Sequence, residues 1–258
     1  NYLAEKYGIT SLNYRGKNVC LEDLYMLISS GMIDELHPKA VILEKVERGV
    51  NGEMGTKKIN AVSADKKDIF TLVFKTNTNG SRISQGIFPP VMIKACINFL
   101  LSVLMRMVDN ERLSPEAYIA ELDRDLFTNI GHEHTLLFYY YDLNYLETPL
   151  NAEMVNINLN AAADMLKEKG IKLIFMPCVD KYDLYYPYIK DKKGRPENNA
   201  FPAMRKVSGK KYTLIDTKAI LQEALARGEK DLYWFGDTHW SWKGFELVCD
   251  GLVKYLRP

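Results

Sequence analysis

Apolar positions along the chain repeat with two different periods. Short unbroken apolar runs, Ala40-Val41-Ile42-Leu43, Ile171 to Met176 and Tyr212-Thr213-Leu214-Ile215, read as strands covered on both faces. Between them lie helical periods. Leu21 to Leu36 places Leu21, Leu24, Tyr25, Leu27 and Ile28 on one face, 152–169 ends at Gly170, 217–227 stops at Gly228, and 242–256 forms a last helix. At the start, 2–7 reads as a short helix closed by Gly8, then Ile9 to Tyr14 as a strand and Arg15 to Asn18 as the loop at its carboxyl end. Alternating helices and strands at this spacing predict an α/β fold with a mainly parallel sheet and right-handed crossovers.

Residues 50–133 break that rhythm. Asn51-Gly52-Glu53-Met54-Gly55 is a turn-rich exit, Ile69 to Phe74 a candidate strand, and Asn77-Thr78-Asn79-Gly80-Ser81 a hairpin or loop. Helices are expected over 90–108 and over 115–127, the second introduced by Ser114-Pro115-Glu116. The region reads either as an insertion capping the α/β core or as padding beside the sheet. Alternation returns with a strand from Thr135 to Tyr141, and Lys190 to Asn199 is a polar loop.

With 258 residues the chain is long enough for one sizeable core, so it is taken as a single domain, 1–258, with 50–133 inserted in it. Lysine and arginine number 34 against 33 aspartates and glutamates, and no basic tract or zinc-finger spacing occurs, so nucleic acid is not an expected partner. The longest apolar run, Val91 to Val108, is interrupted by Lys94, Asn98 and Arg106, which argues for a buried or amphipathic helix and against a membrane span. Cys20, Cys96, Cys178 and Cys249 are scattered without a Cys-x-x-Cys pair and read as buried free thiols. His132-Glu133-His134 offers alternating imidazoles without a supporting Cys or Asp cluster, so a solvated loop is expected there and no metal site.

The densest chemistry lies in Gly236-Asp237-Thr238-His239-Trp240-Ser241-Trp242-Lys243-Gly244. An Asp-x-His pair leading into a helix can form the acid–base half of a serine hydrolase triad, the imidazole taking the nucleophile's proton and the carboxylate orienting the ring. The competing reading makes Asp237 the N-cap of the final helix and His239 a surface residue.

Asp-Thr-His-Trp-Ser-x-x-Gly near the end of an α/β chain resembles the signature of the SGNH-hydrolase superfamily, in particular its DHHW branch, related to alginate O-acetylation proteins. Two weaker stretches accompany it: Met176 to Tyr185, similar to that branch's strand ending in Pro followed by Asp-Lys-x-x-x-Tyr, and Ala40 to Arg48, similar to its apolar strand ending in Glu-Arg. The resemblance covers residues 1–49 and 152–258. It implies a three-layer α/β/α sandwich of SGNH or flavodoxin-like type, with Asp237 and His239 catalytic and Gly16 donating its N–H to the oxyanion hole; a positive-φ turn is the alternative role for Gly16. The superfamily's asparagine after the third strand is replaced by Glu47-Arg48, where Arg48 would hold a substrate carboxylate or hydroxyl, or form a surface ion pair. Lys181, Tyr182 and Trp240 are the remaining candidate substrate contacts, with a solvated lysine as the plain alternative for Lys181.

The superfamily's Gly-Asp-Ser nucleophile motif has no counterpart in the chain: Ser11, Ser81 and Ser241 lack the strand-to-helix context of a nucleophile. The resemblance therefore implies a serine upstream of Asn1, with Asn1 at the carboxyl edge of the sheet and within about 15 Å of the His239 ring, a few residues of extended chain. The function implied is an extracytoplasmic O-acetyltransferase or acetylesterase acting on a cell-envelope or exported glycan, without metal or organic cofactor and with a membrane-bound protein as possible acetyl donor. The rival is a non-catalytic glycan-binding or scaffold protein on a decayed hydrolase fold.

Overall fold

The computed structural model describes residues 2–12, 20–67, 69, 97, 99–104, 107, 111–114, 116–144 and 148–256. Among these, β1 (Ala40–Val46), β5 (Lys172–Cys178) and β6 (Thr213–Leu214) form a parallel sheet in the order β1-β5-β6. The central strand is buried from Leu173 to Cys178, as an unbroken apolar run demands. The register runs from Ala40 opposite Lys172 to Val46 opposite Cys178, so the residues that follow both strands, Glu47 and Val179-Asp180, emerge at one edge.

Helices cover this sheet. The helix α1 (Tyr2–Tyr7) packs on the last helix, α10 (Trp242–Leu256), through edge-to-face contact of Tyr2 with Phe245 and bonds from the Tyr2 and Tyr7 hydroxyls to Asp250. Asn1 is outside the described residues, but its neighbour Tyr2 thus lies beside the first turns of the helix that the Asp-x-His segment launches. The helix expected over 21–36 is broken into α2 (Cys20–Ser29) and α3 (Met32–Leu36), because Gly31 turns left-handed at φ 78°. The helix α6 (Ala152–Lys167) is capped by the Asn151 side chain, which accepts from Met154 N at 3.1 Å, and ends at Gly170, φ 74°. Asp216 caps α9 (Thr217–Ala226) in the same way, accepting from Ala219 N at 2.9 Å.

The second sheet corrects the expectation for the middle of the chain. In place of a helix over 115–127 stands β3 (Ala117–Glu121), which pairs antiparallel with β2 (Arg112–Ser114) before it and with β4 (Thr135–Tyr139). The strand expected at 135–141 therefore exists but lies outside the parallel sheet. Tyr118 stacks on Phe138 and Tyr140 at 5.8 Å, an aromatic cross-strand arrangement that a helix would disperse. Two further expectations shift. Ile9–Leu12 carry no strand pairing among the described residues, Leu12 lying exposed, while the rest of 9–14 is outside them. Ile69 sits in a helical turn, and 70–74 and 77–81 are likewise outside. In the run 91–108 the described residues are helical, yet Phe99, Leu100, Leu104 and Met107 are exposed, and nothing in the described residues covers them. No described helix is long and apolar enough to cross a membrane.

Candidate active site

Asp237 and His239 meet as the Asp-x-His spacing allows. Asp237 Oδ1 accepts from the backbone N–H groups of Thr238 at 2.5 Å and His239 at 3.2 Å, and lies 2.6 Å from His239 Nδ1. An ionised carboxylate only accepts, so Nδ1 carries the proton, and in the neutral ring Nε2 is left as acceptor. Among the described residues nothing is bonded to Nε2. The imidazole side chain is 81% exposed and the carboxylate 53%. The bond from His239, with those from the two N–H groups, holds the Asp237 carboxyl below its usual range.

Asp237 is not the cap of the final helix. That place belongs to Ser241, whose carbonyl accepts from Phe245 N at 2.9 Å and whose Oγ accepts from Gly244 N at 3.2 Å. Gly244 is set by packing: a Cβ there would fall 2.2 Å from the Leu232 carbonyl oxygen. The Ser-x-x-Gly part of the motif thus seats α10 against the incoming chain, and the Asp-x-His part is left free.

The dyad loop is tied to the carboxyl edge of the parallel sheet. Tyr233 and Trp240 bridge across it, the Trp240 indole N–H donates to the Tyr233 hydroxyl at 2.8 Å, and that hydroxyl donates to the carbonyl of Val179, just past β5. Lys181 opens α7 (Lys181–Tyr185) one step further along, and its ammonium donates to the carbonyls of Trp234 at 2.8 Å, Phe235 at 2.6 Å and Asp237 at 3.2 Å. Lys181 is 1% exposed, and burial pushes its pKa down to about 7. From the other side, residues after β3 close on the same loop. Asp231 N donates to Leu126 O at 3.0 Å, Phe127 packs edge-on to Phe235 at 5.6 Å, and His132 stacks on Phe235 at 5.4 Å.

Beneath the loop lies a buried charge network that the sequence showed only in part. Arg48 bonds through its N–H to Asp180 at 2.9 Å and through its guanidinium to Asp180 and, at 3.2 Å, to Asp142. Glu47 accepts from Asp180 N at 2.9 Å and from the Asn198 side chain at 2.6 Å, and Lys218 donates to Asp183 at 2.8 Å. Burial raises the carboxyl pKa values of all four acids, for Asp142 to about 6; Asp183 and Asp180 push Glu47 further up, while Arg48 opposes the shift at Asp142 and Lys218 that at Asp183. Asp142 follows β4, on the other sheet, and no local motif marks it.

The expected substrate contacts therefore lie mostly inward. Arg48 is partly exposed but already holds two carboxylates, and it is not paired with Glu47 at the surface. Tyr182 is fully buried and donates to the Pro196 carbonyl at 2.8 Å. Lys181 and Trp240 serve the loop's own backbone and side chains. Gly16 is outside the described residues. His132 and His134 are both exposed, and no group of three or more His, Cys, Asp or Glu that could hold a metal occurs among the described residues. Cys20, Cys178 and Cys249 are free, and burial raises each thiol, Cys20 to about 12 and Cys249 to about 11. Compared with family profiles, curated proteins and solved structures, the chain gives no match.

Proposed function

We propose that Asp237 and His239 are the acid–base half of an SGNH-type serine acyl-transfer site, working as an O-acetyltransferase or acetylesterase on a cell-envelope or exported glycan. One observation carries this reading: the 2.6 Å Asp237–His239 bond fixes the ring with Nε2 open to the exterior, on a loop held at the carboxyl edge of a parallel sheet. In the proposed reaction a serine hydroxyl, in a segment preceding Asn1, attacks an acetyl carbonyl while Nε2 takes its proton. Collapse of the tetrahedral intermediate expels the donor's oxygen, which leaves with that proton, and a sugar hydroxyl or water then repeats the sequence to release the acetyl group. Asp237 stabilises the imidazolium formed in each half. A three-layer sandwich, a cap drawn from 50–133, an extracytoplasmic location and an acetyl-donor protein in the membrane belong to the same proposal.

A second reading, a non-catalytic glycan-binding or scaffold protein, is favoured by the lack of any hydroxyl or thiol bonded to Nε2 among the described residues. Turnover of a chromogenic acetyl ester by the intact protein, with and without an oligosaccharide acceptor, separates the possibilities. Release of acetate alone indicates an esterase, acetylated oligosaccharide a transferase, and absence of turnover with either supports the scaffold.

A further inference from the structure

Lys181 presents an uncommon arrangement. A fully buried lysine is ordinarily found paired with a carboxylate. Among the described residues no carboxylate is in ion-pair contact with this one. Its three donors all go to main-chain carbonyls of a single short segment, those of Trp234, Phe235 and Asp237. The Phe127 and Phe235 rings flank the ammonium at 5.3 and 5.9 Å, and Asp142, itself bonded to Arg48, and Asp237 act on it through their charge alone.

The end of the lysine that meets the chain is equally well fixed. Its neighbour Asp180 is bonded through its N–H to Glu47 and through its carboxylate to Arg48, both at the end of β1. Apart from the Phe235 ring, which packs on Phe127 and His132, the backbone of the segment it grips has few other bonds. Asp237 N donates to the Trp234 carbonyl at 3.3 Å and Trp234 N to the His239 carbonyl at 3.2 Å, both long, and Trp234, Gly236, Asp237 and His239 are exposed. Three bonds from a fixed donor restrain its carbonyls directly.

We infer that Lys181 is a positioning residue for the dyad: by clamping the carbonyls on either side of Gly236, it holds the Asp237 backbone where its carboxylate meets His239 Nδ1. The inference rests on the proposed function only for what the dyad is used for; the clamp is a matter of geometry and is tested without turnover. It predicts a division of labour between neighbouring residues. Removing the ammonium while keeping the aliphatic stem releases the loop and leaves the sheet intact, because the bonds that tie Asp180 to β1 do not involve Lys181.

The test is Lys181→Met in this chain, read by the 15N shifts of the His239 ring at neutral pH and by amide hydrogen exchange. In the wild type Asp237 holds the Nδ1–H tautomer, whereas a free imidazole favours Nε2–H, so the ring reports the dyad directly. In Lys181→Met the ring is expected to move toward Nε2–H, and amides of 234–239 to exchange at least ten-fold faster, with protection in β1 and β5 unchanged. An unchanged tautomer and unchanged loop protection in a folded variant would overturn the inference. Should the variant not fold, the wild type decides. Below about pH 6, where the amine is charged, Lys181 ammonium protons that are slow to exchange and coupled through hydrogen bonds to the Trp234 and Phe235 carbonyl carbons support the clamp, and a freely rotating, rapidly exchanging ammonium refutes it. A protein with no acyl-transfer activity could still pass this test, so the two claims fail separately.

Discussion

Asp237 Oδ1 and His239 Nδ1 stand 2.6 Å apart, both side chains exposed, on a loop whose Trp234, Phe235 and Asp237 carbonyls face a buried lysine. The outward face carries the exposed Asp237–His239 pair and the inward face the three carbonyls that Lys181 holds. An exposed ion pair contributes little to stability, so replacing either member is expected to leave the unfolding midpoint nearly unchanged. Urea titration of Asp237→Asn checks this; a loss on the order of 2 kcal/mol, the scale of a broken buried contact, would mean that the pair is structural.

Ser241 gives the opposite expectation. Its Oγ caps α10 by accepting from Gly244 N and donates to the Asp231 carbonyl. Ser241→Ala is expected to cost about 1–2 kcal/mol, the range for loss of an N-cap, and chemical denaturation measures it directly. A cost near zero would return the capping role to another residue.

Gly244 is a packing constraint with no relief. A methyl group there meets backbone, the Leu232 carbonyl, and flexible side chains have no part in the clash. Gly244→Ala is expected to destabilise by roughly 1–3 kcal/mol, as overpacking does, despite alanine's better helix propensity. Stabilisation on thermal unfolding would show that α10 does not approach Leu232 so closely.

The Asp237–His239 contact was legible because it is local: an i, i+2 spacing alone lets an aspartate reach the imidazole and two backbone N–H groups. The parallel strands were legible for a related reason, since residues buried on both faces leave an unbroken apolar run, as at Leu173 to Cys178. What failed was long-range. Ser114-Pro115-Glu116 has the form of a helix start, but Tyr118 is paired with Phe138 on a later strand, a partner that no local window contains. Lys181 reads as a substrate contact or a solvated helix-start lysine, because its partners are carbonyls and carbonyls have no sequence signature. Asp142 reaches Arg48 from another sheet.

The buried acids make stability depend on pH in an unusual direction. An acid whose folded pKa is raised holds its proton longer in the native state, so stability falls as pH rises from the unfolded value to the folded one. For Asp142 that window runs from 3.8 to about 6, and Glu47, Asp180 and Asp183 shift the same way. Asp142 alone accounts for about 3 kcal/mol at most, at 1.36 kcal/mol for each pH unit of the shift. Lys181 acts oppositely: its lowered pKa makes stability rise above about pH 7. The urea midpoint is therefore expected to be higher at pH 5 than at pH 7, with the difference reduced in Asp142→Asn. A midpoint that climbs steadily from pH 5 to 7 would contradict the buried network.

The central claim is that the dyad performs acid–base catalysis, and steady-state hydrolysis of an acetyl ester by the intact protein and its His239→Ala variant tests it most directly. The account predicts that kcat falls by a factor on the order of 10³ or more, while the unfolding midpoint stays within experimental scatter of the wild type. A His239→Ala protein that turns over the ester at a near-normal rate would contradict it.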